Sequence, residues 1–418
     1  MITSNSRDVF ALLADGKACQ WSRTFRCPNT EALAKFKPAI IDNGIALVQN
    51  SHREVDIFVT ITLTNSVLVY SKIGCGPADI TGEIIQIIND PNETIQSLHI
   101  LSYSRKVVQM AVVTERSVCL FDIRYMGVTG RLKGKARAHG VLIQSAAPPG
   151  HQACCFEVAL MIRHMFPTGI NLVGMGDHEG MVRTADNKLY YFRTRWTFYK
   201  KPVTVKQASD EPLLIDTPDI EHIREIIYYS RLPFLLMDSG TVRMPSANYG
   251  YTSDDLVLAE VIFPRRIRVA TVIANNRYIF YITTEGMCYY GHVFGVPTGV
   301  TRRRGLRPLC INALQDYFVE YVYVAHRRIF IKYASQGHSR LGTMSLNWLI
   351  EAQPMQLIQY FNDRHIVSVT SSADRTYFVT SNGGLHVHIP SLDTPHELLI
   401  HEVPFFKQNP LEVENTDS

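Results

Sequence analysis

The chain has no apolar run approaching the ~18 residues of a membrane span. Its first residues, MITSNSRDVFALL, lack the basic region, apolar stretch and cleavage site of a secretory leader. Membrane partners and secretion are therefore not expected, and an intracellular place, cytoplasmic or nuclear, is. The 8 Cys are scattered: only Cys154 and Cys155 are neighbours and no C-x-x-C spacing occurs. That pattern speaks against zinc and for a reducing compartment. There is no Gly-rich phosphate loop followed by Lys and Ser or Thr, no nucleophile elbow and no H-E-x-x-H helix. Nothing makes a positive case for an enzyme, so no catalytic residue, cofactor or metal is assigned. Charge of one sign is also scarce. The net charge of +4 lacks the strongly basic signature of a dedicated nucleic-acid binder.

What the chain does have is apolar and aromatic mass: 418 residues, 46% hydrophobic, with 20 Tyr and 19 Phe, enough for a large core. This mass is organised into eight hairpin-like segments. They read FALLADGKACQW (Phe10 to Trp21), FVTITLTNSVLVYS (Phe58 to Ser71), VQMAVVTERSVCLFD (Val108 to Asp122) and GMVRTADNKLYYF (Gly180 to Phe192). Further on come PFLLMDSGTVRM (Pro233 to Met244), YIFYITTEGMCYYG (Tyr278 to Gly291), IFIKYASQGHSRLGTM (Ile329 to Met344) and TYFVTSNGGLHVHI (Thr376 to Ile389). Most arms alternate apolar and polar residues at period two. Most tips carry Gly or Asn, which tolerate the positive φ of hairpin turns. The third tip, Glu115-Arg116-Ser117, has neither.

Tips at Gly16, Asn65, Arg116, Asn187, Gly240, Gly286, Gly337 and Gly383 recur roughly every 46 to 53 residues, with one interval of 71. The residues outside the first and last tips together make about one more period. An array of hairpins buries its apolar faces only by stacking neighbour on neighbour. A ring in which N- and C-terminal strands share a blade is thus expected, without exposed edges.

DVFALLADGKACQW resembles the repeat of the regulator of chromosome condensation family, whose units run from a small-residue and His step through an apolar strand and an Asp-Gly turn to a strand ending in Trp-Gly. GDHEGMVRTADNKLYYF (Gly176 to Phe192) and VSVTSSADRTYFVTSNGGLHV (Val367 to Val387) are similar. The resemblance, strongly diverged, covers nearly the whole chain. It implies an all-β fold, a β-propeller of four-stranded blades. The family has seven blades and the tips number eight, so both counts stay open. The expected domain spans residues 1–408, with a basic insertion at about 128–168, and 409–418 is an acidic tail expected to be disordered.

The 71-residue interval holds GRLKGKARAHG (Gly130 to Gly140) and the run ACCFEVALMIRHMF (Ala153 to Phe166), which suits a short helix or another strand pair. Arg131, Lys133, Lys135, Arg137 and His139 make a positive, Gly-rich loop. Other basic clusters are FPRRIRV (Phe263 to Val269), Arg302, Arg303 and Arg304, and Arg327 with Arg328. Such clusters, set about a blade apart, are the candidate partner-binding residues, facing an acidic protein surface or phosphates. His386 and His388 flank Val387 on a predicted strand and share a face, a two-point metal site without a third ligand. They read as packing residues. Asp177, His178 and Glu179 form an acid-base cluster where the family carries a structural His, and are read as structural. The expected function is a non-catalytic protein-interaction scaffold. The alternatives are a guanine nucleotide exchange factor for a small GTPase, which the resemblance allows, and a nucleic-acid- or chromatin-associated structural protein.

Overall fold

The computed structural model describes the strands within residues 2–92, then residues 93–103, 107–128, 140–144, 154–176, 179–193, 211–229 and 232–245. Beyond these it describes 258–274, 278–291, 308–324, 328–345, 355–361, 364–372, 375–382, 384–388 and 400–402. Among the described residues there is no α-helix, and eight antiparallel sheets follow one another along the chain. Sheets 4 to 8 each have four strands in chain order, a meander entered by the first strand and left by the fourth. Such meanders are β-propeller blades, and the fold class is all-β, β-propeller. Sheet 1 has three strands, Ile2–Ser4, Asp8–Leu12 and Ala18–Ser22, and sheets 2 and 3 have five each.

Every hairpin expected from the sequence forms, each in a different sheet; in sheets 2 to 8 it supplies two consecutive inner strands, and in sheet 1 the second strand and the edge strand. The pairs are Asp8–Leu12 with Ala18–Ser22, Glu54–Thr62 with Val67–Ile73, Val107–Thr114 with Ser117–Val128, and Glu179–Thr184 with Leu189–Arg193. They continue as Leu232–Met237 with Val242–Pro245, Ile279–Thr283 with Cys288–Gly291, Arg328–Ser335 with His338–Ser345, and Arg375–Thr380 with Leu385–His388. The long interval also resolves. Cys154–Met165 is a strand, not a helix, and takes the fourth place in sheet 3; Gly140–Gln144 adds a fifth outside it. Ser117–Val128 on one side and Gly140–Gln144 on the other pair with its backbone, so a strand satisfies here the groups a helix would satisfy internally.

Turn chemistry explains the tips. In sheets 4, 5 and 6 three-residue loops end in Asn187 (φ 57°), Gly240 (φ 80°) and Gly286 (φ 75°). Their N–H groups donate to the carbonyls of Thr184, Met237 and Thr283 at 3.0, 2.9 and 3.0 Å. This is the turn plus left-handed residue typical of such loops. Sheet 7 uses a two-residue turn with both Gln336 (φ 51°) and Gly337 (φ 77°) left-handed. The Glu115-Arg116 turn has no positive φ. Buried Glu93 holds it instead, accepting from the Ser117 hydroxyl at 2.6 Å and from Thr114 and Arg163. Tips Gly16, Asn65 and Gly383 lie outside the described residues.

The chain divides into two compact units, Ala39–Asn312, with sheets 2 to 6, and Met1–Pro38 together with Ala313–Ser418, with sheets 1, 7 and 8. In the first unit apolar clusters join consecutive sheets. Val113, Val118 and Leu120 of sheet 3 meet Phe166, Ile170, Val182 and Phe192; Met181 and Leu189 of sheet 4 meet Ile226 and Leu235; Phe234 of sheet 5 meets Tyr281 and Tyr289 of sheet 6. In the second unit Phe330 and Leu341 of sheet 7 pack on Ile366 and Phe378 of sheet 8. At roughly 2 kcal/mol per fully buried large side chain, these seams dominate the stability between sheets. Sheets 1 and 8 each keep their own strands among the described pairings, with Ile2–Ser4 beside Ile366–Ser372. The chain's two ends thus meet in one unit as neighbouring sheets, where the sequence reading has them sharing one.

Candidate functional site: recurrent bulges and an exposed basic segment

One irregularity repeats in sheets 3 to 8. Near the start of each first strand a buried β-branched residue, Ile95, Ile170, Ile223, Val269, Val319 or Ile366, is followed by a register shift at the next residue; it opens the strand in every one of these sheets but sheet 7, where Phe318 precedes Val319. That next residue, Gln96, Asn171, Arg224, Ala270, Glu320 or Val367, stands opposite no partner in the ladder. A bulge of this kind lets the strand bend and re-aims the side chain. Four of the six, Gln96, Asn171, Arg224 and Val367, are exposed. Within the Ala39–Asn312 unit the Arg224 guanidinium donates to the Ala270 carbonyl, linking one bulge to the next. Sequence reading misses these bulges because each one breaks period two. The available signal is spacing: Ile95 and Leu98, Ile223 and Ile226, Val269 and Val272, Val319 and Val322 are buried pairs three residues apart.

Near the bulges of sheets 7 and 8 lie exposed large side chains, Phe318 at 49%, Tyr321 at 38% and Val367 at 51%. The Tyr321 and Tyr323 rings sit 4.7 Å apart, and burial, then Tyr321 and Glu320, push the Tyr323 phenol up to about 12. Of these, Tyr321 combines area with a polar handle, a residue type that suits an interface.

Ahead of sheet 6 the chain carries a second exposed feature. Ile262 is 75% exposed, the highest among the exposed large hydrophobics described, and Arg265, Arg266 and Arg268 after it are all exposed. This is the cluster Phe263 to Val269 singled out from sequence. Of the other candidate residues, Arg131, Lys133, Lys135, Arg137, Arg302, Arg303, Arg304 and Arg327 lie outside the described residues. Arg328 is half-buried where it opens the Arg328–Ser335 strand, opposite Ser345, and burial lowers its pKa.

Of the candidate chemical groups, His386, His388 and Glu179 are described, and all three are buried. His386 is buried, its Nδ1 is 3.1 Å from the Tyr360 hydroxyl, and its ring meets Tyr360 and Phe361 nearly edge-on at 5.5 and 5.4 Å. His388 is buried on the same strand, and among the described residues no group of three His, Cys, Asp or Glu is placed to hold a metal. Glu179 is buried opposite Arg193, while Asp177 and His178 lie outside the described residues. Burial pushes the thiols of Cys119 and Cys288 up, which makes both poor nucleophiles. No described helix is long and apolar enough to cross a membrane.

No family model and no curated protein matches the chain. Solved structures do. The chain is similar to human WBSCR16 at 11% identity, over 82% of this chain and 88% of that one, with a TM-score of 0.42. It is similar to Prp20p of Saccharomyces cerevisiae at 10% identity, over 89% and 91%, with a TM-score of 0.41. It is also similar to the computationally designed Ika8 protein at 10% identity, over 88% of each chain, with a TM-score of 0.45.

Proposed function

We propose that the protein is a non-catalytic protein-protein interaction scaffold, a regulator-of-chromosome-condensation-like propeller acting as one domain over residues 1–408. Its partner presents an acidic surface. The observation that carries this reading is the Ile262 to Arg268 segment, where an exposed Ile stands beside three exposed Arg. An apolar anchor flanked by guanidinium groups suits a protein surface with carboxylates. The basic segment from Arg131 to Arg137, the Arg302 to Arg304 run and the Arg327-Arg328 pair extend the same chemistry. Neither the exchange-factor nor the nucleic-acid alternative has an observation of its own.

Affinity purification of the whole chain from its native source, with and without nuclease, tests the reading. A stable protein complex that survives nuclease is expected. It is expected to be lost when Ile262→Asp is combined with Arg265→Glu and Arg266→Glu, and weakened when Lys133, Lys135 and Arg137 are changed to Glu. Complexes that vanish with nuclease, or that tolerate both sets of changes, count against it.

A further inference from the structure

Four links between consecutive sheets have the same length. Buried Ile215 and Ile223, Val261 and Val269, Ile311 and Val319, and Ile358 and Ile366 each enclose seven residues that lead from one sheet into the next. In charge the links differ. The link from sheet 4 to sheet 5, DTPDIEH, carries Asp216, Asp219 and Glu221 and no Lys or Arg. The link from sheet 5 to sheet 6, IFPRRIR, carries Arg265, Arg266 and Arg268 and no acid. NALQDYF and QYFNDRH show no such separation, with Asp316 alone in one and Asp363 beside Arg364 in the other. All six charged residues of the first two links are exposed.

Both of these links lie in the Ala39–Asn312 unit. They leave the outermost strands Leu213–Ile215 and Leu258–Glu260, and the hairpin tip of sheet 5 touches the end of each. The His222 carbonyl accepts from the Asp238 N–H at 2.8 Å, and the Gly240 carbonyl accepts from the Val269 N–H at 2.8 Å. The acidic link is pinned by two arginines. Arg183 donates to the carbonyls of Glu221 and Ile223 at 2.9 and 2.7 Å, and Arg243 to the Pro218 carbonyl at 2.7 Å and the Asp219 carboxylate at 2.8 Å. The basic link is anchored by Phe263, which meets Tyr281 and Tyr289 edge-on at 5.2 and 5.7 Å. Both sets of charges therefore stand on backbone already in place, which lowers the ordering cost of a contact. Among the described residues no ion pair joins the two links.

An acidic link beside a basic link of the same length is its own complement. Turned about a two-fold axis, such a surface sets acid on base twice, the isologous arrangement of a symmetric pair. Exposed apolar area stands near the head of each link, Leu214 at 55% and Ile262 at 75%, for the same contact to remove from water. We infer that two copies of the chain associate through these links, the acidic link of each against the basic link of the other. This rests on the proposed reading of the Ile262 to Arg268 segment as a contact, and names the acidic surface it meets as Asp216 and Glu221 of a second copy.

The test is sedimentation velocity of the whole chain between about 1 and 100 µM, with one chain labelled in mixtures. The wild type is expected to pass from monomer to dimer as concentration rises. Asp216→Arg with Glu221→Arg puts base against base, and Arg265→Glu with Arg266→Glu puts acid against acid. Each reversed chain alone is expected to associate at least about tenfold more weakly. Mixed, the two are expected to pair with each other within about threefold of the wild type, a recovery that requires both to be folded. If either melts below the wild type, the neutral sets Asp216→Asn with Glu221→Gln and Arg265→Gln with Arg266→Gln replace it, and each is expected to weaken the dimer. A wild type that stays monomeric overturns the inference. So does a dimer indifferent to these changes, or folded reversed chains that fail to pair when mixed. A monomeric wild type with a nuclease-resistant native complex that depends on Ile262, Arg265 and Arg266 removes the second copy and leaves the scaffold reading. A charge-dependent dimer with no other protein in the native complex upholds the inference and removes the scaffold reading.

Discussion

At the scale of single residues, the hairpin ends are secured by side chains that sequence patterns treat as interchangeable. Thr114, Thr184, Thr283 and Thr380 each end the second strand of a sheet and are at most 2% exposed. Thr184 accepts from the Lys188 N–H at 3.2 Å and donates to its carbonyl at 3.1 Å; Thr283 accepts from Met287 N–H at 3.0 Å; Thr380 donates to the Gly384 carbonyl at 3.1 Å. Beside Thr184, Asp186 pairs with Lys188 at 2.8 Å and accepts from the Thr168 hydroxyl at 2.7 Å. Lys188 first, then Thr184 and Thr168, hold the Asp186 carboxyl well below the usual carboxylate range. A carboxyl lowered on folding adds stability above its unfolded pKa of about 3.9, and that contribution drains away as pH falls toward the folded value. The melting curves of the wild type and Asp186→Asn are therefore expected to be separated at pH 6 and to converge as pH drops toward 2. A gap that stays constant across that range would show that ionisation of Asp186 is not what stabilises the turn.

At the scale of elements, two glycines with the same backbone make different demands. Gly240 and Gly337 have φ of 80° and 77°, yet a Cβ on Gly240 lies 2.9 Å from Arg268 Cβ and 3.0 Å from Val269 N, while nothing lies within 4 Å of one on Gly337. Gly337→Ala meets only the left-handed backbone penalty, about 1–2 kcal/mol. Gly240→Ala meets that penalty and displaces the chain entering sheet 6, and is expected to cost at least about 1 kcal/mol more in urea unfolding. Equal costs would mean that the sheet 5 turn yields easily. These hairpins were the legible part of the fold because a period-two arm and a Gly or Asn tip each leave a strong local mark. The outer strands of two or three residues leave none, being shorter than one alternation. The first strands hide theirs, since an inserted residue such as Arg224 or Glu320 puts the buried partners three apart. Of the candidate site, the Phe263 to Val269 cluster was readable from its run of Arg. The exposure of Ile262 was not, because nothing local separates it from the buried Val261 before it.

At the scale of the whole molecule, both termini contribute to one compact unit, with the strand Ile2–Ser4 beside Ile366–Ser372. In a stacked array each sheet is stabilised by its neighbours, so removing a terminal sheet exposes the apolar face of the next. Deletion of residues 1–22, the whole of sheet 1, is expected to lower the unfolding temperature of sheets 7 and 8 by more than about 5 °C in calorimetry. An unchanged transition would mean that sheet 8 stands without the N-terminal strands.

The bulges carry a consequence for how such a molecule changes over generations. At six equivalent places the chain holds Gln96, Asn171, Arg224, Ala270, Glu320 and Val367: two amides, a cation, an anion and two apolar groups. A residue outside the ladder is released from the propensity and pairing rules that restrict its neighbours. Mutation can therefore rewrite these six characters one at a time while the buried Ile or Val before each keeps its sheet in register. A change of surface chemistry at Gln96, Asn171 or Val367, all exposed, is thus one substitution away, with the ladder on either side unaltered.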